Sequence, residues 1–361
     1  MCNSQNENDR QKPTAALAPT RRGFLQAGAA VALSMPYLTR RGWAAEPLYI
    51  NTWGGRWEES ARKHLFDPFS KETGIEIRTV SPVSYAKLAA QARTGVYEFD
   101  VTTVGSVELI QAAEADIIEP IGDRQFDPDK IPESSVFMNG LASHVFSTNI
   151  CYNRDKHPDG PQSWKEFWDV ARNPGSRSMR RYAWDAFPPA LMADGVTQDQ
   201  IYPIDGDRAF KSLDALKEHI RVWWLQGSQA QQLIRDGEVD YIAIWHGQVQ
   251  ILQNQGVPLE LVWNEALHSE VYWVVSKGTP RKEAAWMFAE FAASPEPLAG
   301  FCSDAVYGPM NPKSFEFIPE DVQKGMPTYP DNMKTAIHQK AELIGPDFTP
   351  LMRRFDQWIA S

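Results

Sequence analysis

The chain has 361 residues, a formal net charge of −10, 43% hydrophobic and 23% charged residues, and only 3 Cys. That composition excludes a disordered chain, a collagen-like repeat and a disulfide-stapled mini-protein, and the acidic balance argues against a nucleic-acid binder. No run approaches the roughly 18 to 20 apolar residues of a membrane-spanning helix, and at about 150 residues per domain the length predicts two packed domains. The unusual count is 13 Trp, a flat amphipathic side chain that serves both cores and the walls of ligand sites.

Residues 1–19 are polar and irregular. Thr20-Arg21-Arg22-Gly23-Phe24-Leu25-Gln26 then runs into the small, weakly apolar stretch Ala27 to Met35. The paired arginines, the Phe-Leu two places on and the Ala/Gly-rich segment resemble a twin-arginine export signal. Cleavage is expected after Ala44, with Gly42 and Ala44 as the small residues at −3 and −1. The competing reading is a short Arg-capped amphipathic helix. Cys2 has no lipobox before it, so no lipid anchor is expected. Loss of 1–45 leaves 30 basic and 44 acidic residues, a charge of −14, and places the mature chain in the periplasm. Cys151 and Cys302 remain; their separation carries no pairing signature, so they read as two buried thiols.

Along the mature chain, Leu48-Tyr49-Ile50 is a strand. Trp57 to Lys71 is a helix with Ala61, Leu65 and Phe69 on one face, stopped at Thr73-Gly74. Ile75 to Val80 is a strand, Tyr85 to Arg93 a helix, and Phe99 to Val104 a strand again. This β-α-β-α-β order predicts a parallel, helix-flanked sheet. A second set starts with the apolar run Val145 to Tyr152, continues with helices Trp164 to Arg172 and Arg208 to Val222, and reaches the strand Tyr241 to Trp245 after the turn Asp236-Gly237-Glu238-Val239-Asp240. Ala284 to Ala293 closes the series as a helix.

Parallel α/β sheets bind ligands in the loops beyond their strands' carboxyl ends. Trp53-Gly54-Gly55, Gly105-Ser106, Trp245-His246-Gly247 and Trp273 stand there. Any single Trp suits a core as well as a ligand, but their recurrence at equivalent places points to a site. Catalytic machinery has no support: the seven His show no His-x-His or His-x-x-x-His spacing, and nucleotide-cradle and serine-elbow motifs are missing. Asp236, Glu238 and Asp240 lack the remaining positions of a calcium loop. No cofactor and no metal are expected.

Seven strings then carry a resemblance: Tyr49-Ile50-Asn51-Thr52-Trp53-Gly54-Gly55, Phe66-Asp67-Pro68-Phe69-Ser70-Lys71-Glu72-Thr73-Gly74-Ile75, Phe99-Asp100-Val101, Ser163-Trp164-Lys165-Glu166-Phe167-Trp168, Gly237-Glu238-Val239-Asp240, Ile244-Trp245-His246-Gly247 and Tyr307-Gly308-Pro309-Met310-Asn311. In this order the chain resembles the extracellular solute-binding proteins of ABC transporters, and in particular the spermidine/putrescine-binding branch. The resemblance implies a type II periplasmic binding protein: two α/β lobes joined by crossover strands, with a ligand cleft between them that closes by hinge motion. It places lobe 1 at about 46–147 plus 274–316, and lobe 2 at about 148–273 plus 317–361.

The family's polyamine sites are aromatic boxes closed by carboxylates, because rings attract ammonium and cover methylenes while carboxylates pair the ends. The resemblance puts Trp53, Gly54, Trp245, Trp273 and Tyr307 in the wall, Asp185 at one acidic position and Gln339 at a polar one. Arg181 stands at a second acidic position, Val275 where a carboxylate is expected, Arg56 where a tyrosine is common, and Gly105 and Val107 replace a hydroxyl and an aromatic. Arg180 and Arg181 read equally as solvated charge. One carboxylate among arginines favours a mixed-charge amine over a linear polyamine. The expected function is capture of a small nitrogen-containing organic solute by a monomer, and its delivery to an inner-membrane ABC permease. The alternatives are a twin-arginine-exported periplasmic enzyme and a ligand-sensing partner of a membrane receptor.

Overall fold

Alternating apolar runs in the first hundred mature residues dictate a βαβ start, and the computed structural model, which describes residues 46–344 and 348–361, shows it. The proposed export signal and its cleavage point lie outside the described residues. Strand β1 (Leu48–Asn51) is followed by a continuous helical stretch, Gly55–Ala61, Arg62–Phe66 and Asp67–Thr73, the middle piece a π-turn. Ala61, Leu65 and Phe69 are buried along it, and Gly74 ends it at φ 76°, a left-handed conformation that glycine adopts without strain.

Strands β2 (Ile77–Val80) and β3 (Val101–Gly105) pair in parallel with β1 on either side. The two-residue β4 (Val136–Phe137) leads into the long β5 (Gly140–Asn153). The second half holds β6 (Arg177–Arg180), β7 (Ile220–Trp224) and β8 (Tyr241–Trp245), with β6 parallel to both β7 and β8. The long β9 (Leu259–Val275) returns across the molecule. Two short strands, β10 (Gly308–Pro309) and β11 (Ile337–His338), add to β5 and β9.

Among the described residues the strands form one sheet in the order β2-β1-β3-β9-β5-β8-β6-β7. It is mixed rather than parallel throughout, because β5 and β9 run antiparallel to each other and to their outer neighbours β8 and β3. These two strands are the crossovers. Their residues near β3 belong to one lobe and those near β8 to the other. Between Ala142/Val145 and Thr148/Ile150 the pairing register shifts, the irregularity expected where a ribbon bends between two bodies.

Each half has its own core. Trp57, Phe66, Phe69, Trp273, Trp286 and Phe288 pack in the first; Trp164, Phe167, Trp184, Phe187, Phe210 and Phe355 pack in the second. Asp100, fully buried in the first half, receives Arg281 Nε at 2.7 Å and the Tyr49 N–H at 2.8 Å, so its charge is compensated. Cys151 and Cys302 are buried free thiols. Beyond the first half, Ile318 and Met326 still pack on Ala299. The C-terminal chain then reaches the second half through β11 and the helix Phe348–Ala360.

Two helices are shorter than expected. Trp164–Trp168 stops four residues before Arg172. Gly206–Leu216 gives way to a 3₁₀ turn, and Ile220-Arg221-Val222 belongs to β7, where branched and aromatic side chains favour the pleat.

Candidate functional site

Four helices start directly beyond strand ends on the side where the halves face each other: Gly55–Ala61 after β1, Ser106–Glu114 after β3, Ala183–Ala193 after β6 and His246–Asn254 after β8. The strand ends and these first helical turns define the cleft.

On the first half, Trp53 is 55% exposed yet anchored, because its Nε1–H donates to Thr103 Oγ1 at 3.1 Å. The indole face is thereby presented rather than packed. Gly54 has φ 74° and ψ −173°, a region open essentially to glycine alone, and this turn is what swings Trp53 outward. Arg56 is exposed and donates through Nε (3.2 Å) and a terminal nitrogen (2.9 Å) to the Asp304 carbonyl. Tyr307 is half-buried with its ring 4.2 Å from that of His144, and burial pushes its hydroxyl up to about 12. Glu108, in the first turn of Ser106–Glu114, folds back over Gly105 so closely that a Cβ there would stand 2.6 Å from its Oε2. Burial raises the Glu108 carboxyl, while its own backbone N–H, then the Arg180 charge and the Tyr182 hydroxyl, pull the other way.

On the second half, Asp185 is buried in the first turn of its helix. It accepts from an Arg180 guanidinium nitrogen at 3.1 Å and from Thr148 Oγ1 at 3.4 Å. Desolvation nevertheless raises its carboxyl, against the opposing pull of Arg180 and those hydrogen bonds. The guanidinium lies 4.5 Å from the Tyr182 ring centroid and 4.9 Å from that of Trp245, which is cation–π distance for both. Trp245 is braced edge-on by Trp224 at 5.1 Å and Phe146 at 5.8 Å. Among the described residues its buried Nε1 has no hydrogen-bond partner, nor have Ser106 Oγ and the Tyr202 hydroxyl on the neighbouring segments. Buried donors without partners are what a polar ligand would complete.

The structure thus brings Trp53, Gly54, Asp185, Trp245 and Tyr307 to the strand ends between the halves. Three expectations change. Trp273 is fully buried, its ring 5.8 Å from Trp57 and 5.3 Å from Phe288, and it offers no face to a solute. Arg181 turns outward, with Nε 3.0 Å from Asp356 on the C-terminal helix, an exposed pair; Arg180 takes the place beside Asp185. Gln339 follows β11, half-buried, and among the described residues no side-chain hydrogen bond ties it to the charged cluster. Of the two readings open for Arg180, site group or solvated charge, the ion pair with Asp185 fits the first, and Glu108 on the helix after β3 is a charged group that the sequence did not point to. The signal for Glu108 was an acidic residue in the first turn after a strand end, which reads equally as a helix-dipole partner.

Buried histidines lie on and beside the crossover strands: His144 on β5, His268 on β9, and His246 at the start of the helix after β8. His246 Nδ1 accepts the Ser147 N–H at 3.1 Å, and the His268 and His338 rings are 5.0 Å apart. Burial depresses His144 to about 3, His246 to about 4 and His268 to about 3, so all three are neutral at pH 7. Among the described residues no group of three or more His, Cys, Asp or Glu is placed to hold a metal ion.

The family model for a bacterial extracellular solute-binding protein matches residues 64–330. The γ-aminobutyric acid-binding protein of Pseudomonas aeruginosa is 32% identical over 88% of this chain and 92% of its own length. The spermidine/putrescine-binding periplasmic protein of Escherichia coli is 22% identical over 76% of this chain and 82% of its own. Among solved structures, the Atu4243-GABA receptor superposes with a TM-score of 0.82 at 29% identity, covering 87% of this chain and 98% of its own. With a type II binding-protein fold, a cleft lined by aromatic and charged groups and these relatives, the chain belongs to the bacterial extracellular solute-binding proteins, the substrate-binding components of ABC transporters.

Proposed function

We propose that the protein captures a small mixed-charge amine, an ω-amino acid of about the size of γ-aminobutyrate, between its lobes. After twin-arginine export to the periplasm it delivers this solute, as a monomer, to an inner-membrane ABC permease. The observation that carries the reading is the Arg180 guanidinium held by Asp185 at 3.1 Å, with the Tyr182 and Trp245 ring centroids 4.5 and 4.9 Å away. A polyamine needs carboxylates at its ends and gains nothing from a fixed guanidinium, whereas a ligand carboxylate matches the guanidinium fork. The ligand's ammonium is served by Asp185, by Glu108 and by the presented face of Trp53. The name of the relative at 32% identity points the same way, and the polyamine-binding relatives are more distant.

Thermal melts with 4-aminobutyrate, 5-aminovalerate, putrescine, spermidine and butyrate test it. A ligand at a hundred times its Kd stabilises by about 2.7 kcal/mol, which for a chain of this length raises Tm by about 4 °C. The ω-amino acids are expected to give that shift. A shift from the polyamines alone, or from no member of the set, overturns the assignment.

A further inference from the structure

The Trp245 ring lies 4.9 Å from the Arg180 guanidinium, and three neighbours fix where that ring stands. Trp224 and Phe146 meet it edge-on at 5.1 and 5.8 Å. Trp224 is itself pinned, fully buried with its Nε1–H donating to the Ala243 carbonyl at 2.9 Å. The third neighbour is Gly227, a buried residue that opens the nine-residue helix Gly227–Arg235 beyond β7. A Cβ on Gly227 would stand 3.0 Å from Trp245 Cζ3, 3.1 Å from its Cε3 and 3.2 Å from Gln248 Cδ. Gly227 lies in helical backbone, outside the left-handed region, so its conformation does not call for glycine. The space taken by the indole does.

The helix Gly227–Arg235 is not free to back away. Its Ala230, Leu233 and Ile234 pack in one buried cluster with Val249 and Leu252 of His246–Asn254, and Gln231 Nε2 donates to the Gln248 carbonyl at 3.1 Å. A side chain at position 227 therefore has to displace the Trp245 indole. We infer that Gly227 is a positioning residue for ligand recognition: its lack of a side chain seats the Trp245 indole where it holds the Arg180 guanidinium for the ligand's carboxylate. This rests on the ω-amino acid reading above. Restoring an ordinary carbon contact of about 3.5 Å in place of 3.0 Å moves the ring by about 0.5 Å, which is the tolerance within which a binding constellation has to be held. Cation–π attraction depends on the ring's place over the cation, and a guanidinium fork pairs with a carboxylate only when it is aimed.

The test is a double-mutant cycle of Gly227→Ala and Trp245→Phe, read by calorimetric titration with 4-aminobutyrate, by thermal melts, and by the Trp245 indole N–H resonance, assigned from its loss in W245F. G227A is expected to weaken binding about tenfold, to shift that resonance, and to leave Tm unchanged or raised, because alanine is the better helix former. Phenylalanine has no fused second ring to meet the new methyl group, so in the W245F background the same change should cost less than about twofold. Unchanged affinity in G227A, or an equal loss in both backgrounds, overturns the inference. Should G227A fail to fold, folding restored in the G227A/W245F pair supports the inference, and no restoration overturns it. A wild type that binds no ω-amino acid instead overturns the functional reading, and the Trp245 resonance of ligand-free G227A then decides the role of Gly227: a shift upholds it and an unmoved resonance overturns it.

Discussion

Replacing Arg180 by Met removes the guanidinium while keeping an unbranched apolar stem against Trp245 and Tyr182. Asp185, only 2% exposed, is then a buried carboxylate with the 3.4 Å Thr148 hydroxyl as its remaining side-chain donor. Breaking a buried pair by removing one partner costs about 3 to 5 kcal/mol. Because the Arg180 side chain is 24% exposed the lower end applies, about 3 kcal/mol. With an unfolding entropy of about 2.1 cal/mol/K per residue, that lowers Tm by about 4 °C. The loss should depend on pH. Desolvation already raises the Asp185 carboxyl in the folded chain, so the folded state holds this proton to higher pH than the unfolded one does. Stability falls as pH rises from the unfolded value of about 3.9 through the folded value. Without Arg180 the opposing pull is gone, the window extends upward, and the deficit is largest near neutral pH and shrinks on acidification. Melts of R180M at pH 5 and pH 7.5 measure this, and adding Asp185→Asn should restore most of the stability at pH 7.5. A deficit independent of pH, or one that D185N leaves untouched, refutes the reasoning. In binding, R180M should weaken the ω-amino acid by about 1.5 to 3 kcal/mol, the value of a charged hydrogen bond.

Other changes separate site from core and fold from export. Trp53→Ala should leave Tm nearly unchanged, within about 0.5 kcal/mol, while weakening ligand binding by roughly 1 to 3 kcal/mol in titration calorimetry. Trp273→Ala should do the reverse, with about 3 to 5 kcal/mol of stability lost in denaturant unfolding as a cavity opens beside Trp57 and Phe288. His144, His246 and His268, held neutral by burial with values of about 3, 4 and 3, should make stability fall as pH drops below the unfolded value of about 6.5, by about 2 kcal/mol each at pH 5. His268→Asn should flatten that acid limb in pH-dependent unfolding, and an unchanged slope would count against a neutral buried ring. Paired Arg21→Lys and Arg22→Lys substitutions should retain the chain in the cytoplasm on cell fractionation.

Much of the fold was legible because local chemistry and tertiary need agree. The Ala61, Leu65 and Phe69 stripe is buried as its spacing requires, and Ser163 caps Trp164–Trp168 by accepting the Glu166 N–H. The crossover strands were harder, since β5 is buried along nearly its whole length and alternation carries no signal there. At the site the misassignments are one-residue matters. Successive side chains of a strand point to opposite faces, so whether Arg180 or Arg181 enters the cleft turns on a single register step at the end of β6. The preceding residues gave no cue, because Arg177, Ser178 and Met179 are all buried. Trp273 was misplaced for a related reason. It sits opposite Thr103 and Leu141 in the ladder, where the helix Lys282–Ala293 covers it, and helix packing across a sheet is not written in the strand itself.

The central claim is that this cleft selects a molecule with a carboxylate at one end and an ammonium at the other. Isothermal titration of the wild-type protein with 4-aminobutyrate and with 1,4-diaminobutane tests it most directly, because the two share a four-carbon chain with an amine at one end and differ chiefly at the other. The prediction is one-to-one binding of 4-aminobutyrate, at least a hundredfold tighter than the diamine, with the preference abolished in R180M. Equal or tighter binding of the diamine by the wild type would contradict the assignment of Arg180 to a ligand carboxylate.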